Sequence, residues 1–294
     1  MKNILLLLVI ACLTLGLVGC KTSAVQATGE SGAPTYIENK GSDTIVNLAL
    51  AWAEKYQSLF PEVRISVTGG GSGTGIAALI NGTVDIANAS RKIKEEEVNE
   101  AKKHGASPVE FVIARDAIAI IVNQENPVNQ LTLQQISDIY QGKITNWNQV
   151  GGEDRPIVCL SRETNSGTHV YFLEKVIRLG DSKNKALFSQ GTLLMPSSEG
   201  ITAEVTQNPN AIGYDGLGYV TSAMKVIAVA KDAHSPYVIP SADSVNKGEY
   251  PIARDLYMYT SGEPSGPIKA YLGWIIGEEA QKIVKDLGFV PIKH

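Results

Sequence analysis

Cysteine is scarce in this 294-residue chain: three occur, at positions 12, 20 and 159. Histidine is nearly as rare, with residues 104, 169, 234 and 294 at spacings that suit no metal site. Lysine and arginine never gather into a basic block or an aromatic-interleaved stripe, and 26 of them stand against 30 acidic residues. The usual footprint of a nucleic-acid partner is therefore missing. No unit recurs at a fixed period. The stretch TGGGSGTG, residues 68–75, also lacks the familiar signatures. No Gly-Lys-Ser/Thr follows it, and it does not satisfy G-x-G-x-x-G. Thr74 stands where G-x-S-x-G needs its last glycine. Ser182 and Lys185 form a Ser-x-x-Lys pattern without the motifs that accompany it in enzymes.

At 44% hydrophobic residues, the chain is long enough for one large domain or two lobes. The first twenty residues stand apart. Lys2 is followed by the apolar run ILLLLVIACLTLGLV, short for a bilayer span and placed where an export signal sits. It ends in LVGC, which resembles a bacterial lipobox. That resemblance implies cleavage before Cys20 and acylation of its thiol. An uncleaved anchor and a secretory signal cut elsewhere are the alternatives. Loss of residues 1–19 removes Lys2 and leaves 25 basic residues against 30 acidic, a net −5. Residues 20–33 read as a flexible tether, poor in large apolar side chains. With Cys12 removed and Cys20 modified, Cys159 remains alone, so no internal disulfide or zinc cluster forms. Its setting, PIVCL, is that of a buried small hydrophobe.

Strands alternate with helices thereafter, an α/β pattern. Ile45, Leu48, Ala49, Trp52, Tyr56, Leu59 and Phe60 follow helical spacing, and Pro61 stops that helix. Val63, Ile65 and Val67 alternate as a strand that runs into the glycine loop. TVDIANAS reads as the next strand, and Thr132 as the cap of the helix TLQQISDIYQG. The apolar segments 111–123 and 218–230 read as crossings between two lobes. PIARDLYMYT, PIKAYLGWIIG and EEAQKIVKDLG close the chain as a strand and two helices.

Three loops share one design: each follows a strand, carries Ser, Thr and Gly, and opens a helix. They are Gly41-Ser42-Asp43-Thr44, Gly71-Ser72-Gly73-Thr74-Gly75 and Asn165-Ser166-Gly167-Thr168. A helix start presents free N–H groups and partial positive charge, so it suits anions. Hydroxyls add donors, and glycines let the backbone approach closely. Any one loop is explained by helix capping alone. Arg91, after IANAS, and Arg162, in CLSRETNSGT, lie at loop positions and are either surface ion-pair partners or forks for a tetrahedral oxyanion.

GSDT, GGGSGTG, VDIANASR, LTLQQISDIYQGKITNW, SRETNSGT, YPIARDLYMYT and the terminal GFVPI together resemble the phosphate-binding subunit of the bacterial phosphate ABC transporter. The likeness covers roughly residues 35–293. It implies a class II periplasmic-binding-protein fold, α/β and two-lobed, each lobe a β-sheet flanked by helices, with the ligand in the cleft. Lobe 1 is expected over 34–113 plus 229–294 and lobe 2 over 114–228. The resemblance places Ser42, Thr44, Ser72, Thr74, Ser90, Arg162, Ser166, Gly167 and Thr168 around phosphate. It implies an exported, lipid-anchored binding protein at the cell membrane, with a membrane permease as partner, no cofactor and no enzymatic activity. One position departs. Better-known members carry an aspartate after the Ala-Ser of the strand-end loop; Arg91 stands there. A carboxylate acceptor rejects ionised sulfate, so discrimination needs another acceptor, with Asp43 the candidate if it is not merely a helix cap. Sulfate and molybdate are alternative guests, and an exported phosphatase is the alternative class.

Overall fold

A computed structural model describes residues 34–292. Cys20, the signal segment and the tether up to residue 33 lie outside the described residues. Three strands pair in parallel: β1 (Thr35–Gly41) between β2 (Val63–Thr68) and β3 (Ile86–Ala89). Helix α1 (Asp43–Leu59) joins β1 to β2, and α2 (Ser72–Ile80) joins β2 to β3. In the register, Lys40 faces Thr68 and Gly41 faces Asn88. All three strands therefore end level, and the three hydroxyl-bearing turns leave from one edge. This is where open α/β sheets gather ligands.

Strand β4 (Val109–Asn123) ties this group to the rest. Its residues 109–117 pair antiparallel with β10 (Ala253–Thr260), which also pairs with β3. Its residues 118–122 pair with β8 (Ala211–Gly216), and 120–123 pair with β9 (Met224–Ala230). β8 runs parallel to β6 (Val158–Arg162), and β6 parallel to β7 (Leu193–Met195). β9 also lies parallel to β5 (Gln130–Thr132). The segment 218–230 thus stays beside the second half of β4. The chain returns to the first half at about Ile252, whose carbonyl accepts the Ile118 N–H at 2.8 Å.

Two large apolar clusters flank β4. One joins Ile37, Trp52, Tyr56, Leu256 and Tyr271, and the other joins Tyr140, Trp147, Phe172, Tyr214, Tyr250 and Ile252. The spacing read in α1 is the one that is buried: Ile45, Leu48, Ala49 and Trp52 are fully enclosed. Leu59 and Phe60 are exposed instead, because the helix ends just before Pro61. Trp52 Nε1 donates to the Ala280 carbonyl at 2.9 Å and fastens α1 to α9 (Glu278–Asp286). Thr132 caps α4 (Leu133–Tyr140) by accepting the Gln135 N–H at 3.2 Å. Cys159 is buried, and burial pushes its thiol up to about 12. Among the described residues no helix is long and apolar enough to cross a membrane.

Candidate functional site

The strand ends bring four hydroxyls together. Thr44 lies in the first turn of α1, Ser72 opens α2, Ser90 follows β3, and Thr168 lies in the first turn of α5 (Gly167–Phe172). Each is at most 1% exposed. Thr44 Oγ1 and Thr168 Oγ1 are 2.8 Å apart, Thr168 Oγ1 and Ser90 Oγ 3.5 Å, and Ser90 Oγ and Ser72 Oγ 3.3 Å. Ser72 Oγ also accepts the Ser90 N–H at 3.0 Å. Gly167 presses its backbone onto this row, and a Cβ there would lie 2.3 Å from Ser72 Oγ. Only a residue without a side chain fits. Ser42 is buried beside Thr44 as the residue before α1, and its side chain makes no capping bond. Ser166 caps α5, accepting the Thr168 N–H at 3.2 Å.

The guanidinium at this row is one that sequence reading did not place there. Arg254, on β10, donates from Nη2 to Thr168 Oγ1 at 3.0 Å and to Thr44 Oγ1 at 3.4 Å. Its Nη1 donates to the Ser90 carbonyl at 2.9 Å, and its Nε and Nη2 hold Asp116 Oδ2 at 3.2 and 2.9 Å. Asp116 is fully buried; burial pushes its carboxyl upward against the pull of Arg254. A signal existed in the sequence. The tetrapeptide Ile-Ala-Arg-Asp occurs at 113–116 and again at 252–255, in otherwise apolar strands. The two copies meet antiparallel, so Arg254 faces Asp116 and Asp255 faces Arg115.

Arg162 is 1% exposed and mostly engaged by protein. It donates to Asp43 Oδ2 at 2.6 Å, Pro196 O at 2.9 Å, Ser198 Oγ at 3.1 Å and Met195 O at 3.3 Å. Four of its five N–H groups are thus spoken for. The other oxygen of Asp43 accepts the Gly70 N–H at 2.9 Å. Asp43 therefore links α1, the glycine loop and β6 rather than capping α1.

Arg91 departs from its expected place. Its Nη1 and Nη2 hold both oxygens of Glu97, at 2.8 and 2.6 Å, and Nη1 also bonds the Lys92 carbonyl. Burial raises the Glu97 carboxyl, but the Arg91 and Lys94 hydrogen bonds and neighbouring charge outweigh it and hold it low. Its terminal nitrogens are thus held by Glu97 and Lys92, while among the described residues its buried Nε has no partner. Thr74 also looks elsewhere, accepting from Asn165 Nδ2 at 3.4 Å.

That contact belongs to a clasp between two loops. Asn165 Nδ2 donates to the Gly70 carbonyl at 2.9 Å, and the Asn165 carbonyl accepts the Gly73 N–H at 2.9 Å. Gly71 has φ +90°, and a Cβ there would lie 2.8 Å from the Asn165 carbonyl oxygen. The run of glycines is thus used first for loop-to-loop contact. Behind Arg162, Ser198 Oγ donates to Asp215 Oδ1 at 2.9 Å. His169 bonds Ser161 Oγ through Nδ1 at 3.0 Å and stacks on Phe188 with ring centroids 4.5 Å apart. Burial lowers its pKa. Among the described residues no group of acidic, histidine or cysteine side chains is arranged to hold a metal ion.

Comparison with known proteins gives the family. Residues 28–279 match the family described as the PBP superfamily domain. The chain is 32% identical over 284 residues to the phosphate-binding protein PstS of Pseudomonas aeruginosa, covering 91% of this chain and 85% of that one. Against PstS of Bacillus subtilis the identity is 33% over 273 residues, covering 92% and 86%. A substrate-binding protein of Clostridium perfringens, solved with bound phosphate, has a TM-score of 0.78 at 33% identity, covering 88% of this chain and 100% of that one. The α/β binding-protein fold expected from the resemblance is the fold observed. By fold, by the strand-end site and by these likenesses, the chain belongs to the PBP superfamily, as a protein similar to the phosphate-binding PstS proteins.

Proposed function

We propose that the protein captures inorganic phosphate outside the cytoplasm, between two closing lobes, and delivers it to an ABC permease. One observation carries the reading. Hydroxyls from four separate loops, three preceding β4 and one following β6, lie within reach of one another and of Arg254. Each hydroxyl has one proton to donate and rotates freely to aim it at an oxyanion. The relatives named above, which bind phosphate by name or in the crystal, supply the identity of the guest.

The proposed anion shell is Ser42, Thr44, Ser72, Ser90, Ser166, the Gly167 N–H and Thr168, with Arg254 and the remaining N–H of Arg162. Arg91, Asp43 and Thr74 leave that shell for the partners described. The lobes are proposed as 34–117 with 253–292, and 118–252. This moves the return crossing from 218–230 to about residue 252. Closure follows because donors on both lobes are satisfied together only in the closed state. Cleavage before Cys20 and its acylation complete the proposal as the membrane anchor.

Calorimetric titration with phosphate, alone and against excess sulfate, tests the reading. Tight phosphate binding is the expected result, with sulfate competing in part because no carboxylate acceptor remains in the proposed shell. Equal competition by sulfate would make the protein a general oxyanion carrier, and no binding would end the proposal. Turnover of a chromogenic phosphate ester would bring the phosphatase alternative forward.

A further inference from the structure

The anion shell leaves one buried acid unused. Asp215, near the end of β8, is fully buried. Its Oδ1 accepts the Ser198 hydroxyl at 2.9 Å and the Gly216 N–H at 2.7 Å. Among the described residues its Oδ2 has no hydrogen-bond partner. Ser198 Oγ also accepts from Arg162 Nη1 at 3.1 Å, so Asp215 stands one hydroxyl away from the guanidinium that Asp43 already pairs.

Charge in this interior is uneven. The guanidiniums of Arg162 and Arg254 face the carboxylates of Asp43, Asp116 and Asp215. Asp43 and Asp116 each hold a guanidinium directly; among the described residues Asp215 holds none. Tyr214 and Tyr219 present neutral phenols there, and Glu199, on α6 (Ser198–Gln207), lies exposed rather than in this interior. A phosphate would bring further negative charge into the same enclosed space. An uncompensated buried carboxylate relieves such a load by taking a proton.

We propose that Asp215 is a proton site coupled to the anion site: as phosphate binds, the Asp215 carboxylate takes one proton from solvent and becomes the neutral acid. The inference rests on the anion reading above. Burial already pushes this carboxyl up to about 6, against the pull of Arg162, and an arriving anion acts in the same direction. The sign follows. Below the anion-free value the acid is neutral in both states and the affinity is undiminished. As pH rises towards the anion-bound value, affinity falls by up to about tenfold per unit.

Two measurements decide it. Difference infrared spectroscopy of the wild-type protein, on adding phosphate near neutral pH, should show a new protonated-carboxyl carbonyl band that shifts in D2O. That band should be absent in Asp215→Asn. Calorimetry of both proteins from about pH 5.5 to 8 should show the wild-type dissociation constant rising relative to the variant's, by up to about tenfold per unit. The ionisation of phosphate itself is common to both and cancels in the ratio. A flat ratio, or wild-type spectra without the band, overturns the proposal, and the second criterion holds even if the variant does not fold. If the wild type binds no phosphate at all, the anion reading falls and takes this inference with it.

Discussion

Replacing Arg254 with methionine should have two separable effects. Arg254 is 6% exposed and its main ion-pair partner, Asp116, is fully buried. With the guanidinium gone, that carboxylate keeps only the Leu217 N–H, at 3.1 Å, and its neighbouring backbone. Leaving a buried charge without its partner costs about 3–5 kcal/mol. Adding Asp116→Leu removes the orphaned charge. The double variant should therefore recover most of the loss, since apolar replacement of a buried pair is often neutral or stabilising. Phosphate binding should not recover. The double variant still lacks the group that touches Thr168 Oγ1 at 3.0 Å and Thr44 Oγ1 at 3.4 Å. A hydrogen bond to a charged group is worth ~1.5–3 kcal/mol, so the dissociation constant should rise ~10- to 150-fold. Urea unfolding and calorimetric titration of both variants report the two effects separately. A double variant as unstable as R254M would refute the buried-charge argument. A double variant with wild-type affinity would remove Arg254 from the site.

Thr168→Val keeps the shape but deletes the hydroxyl that bonds Thr44, Ser90 and Arg254, so phosphate affinity should fall about tenfold with little change of fold; unchanged calorimetry would exclude this hydroxyl. Gly71→Ala places a methyl against the Asn165 carbonyl at φ +90° and should cost on the order of 1–3 kcal/mol in urea unfolding; a neutral result would show that the loop shifts freely. His169 has a folded-state pKa below its unfolded value of about 6.5. Its contribution to stability is therefore complete above about pH 6.5 and lost as pH falls through the folded value. His169→Gln should flatten that acid-side decline in thermal unfolding, and an identical slope would assign the decline to other groups.

Local patterns proved reliable where their physics is local. Helical spacing identified the buried face of α1, the Thr132 hydroxyl capped its own helix, and the apolar length of 111–123 marked β4. The strand–loop–helix design of three segments singled out Thr44, Ser72 and Thr168, which the fold brings together: the first two lie at one edge of a parallel sheet, and Thr168 comes from the turn after β6. Arginine was harder. Arg91 and Arg162 sit at promising loop positions, yet each is largely engaged by protein groups. Arg254 looked like part of an ordinary strand until the pairing of β10 with β4 set it opposite Asp116.

From sequence alone came the family resemblance, the α/β order of elements and the hydroxyl-rich helix starts, because spacing, capping and glycine chemistry act over a few residues. Only the tertiary structure decided which guanidinium meets those hydroxyls, that Asp43 joins Arg162 across 119 positions, and that Asp215 is enclosed with no directly paired cation among the described residues. Those outcomes depend on strand register and side-chain burial between distant segments. Opposite charges in a sequence do not say which of several buried partners will neutralise each one.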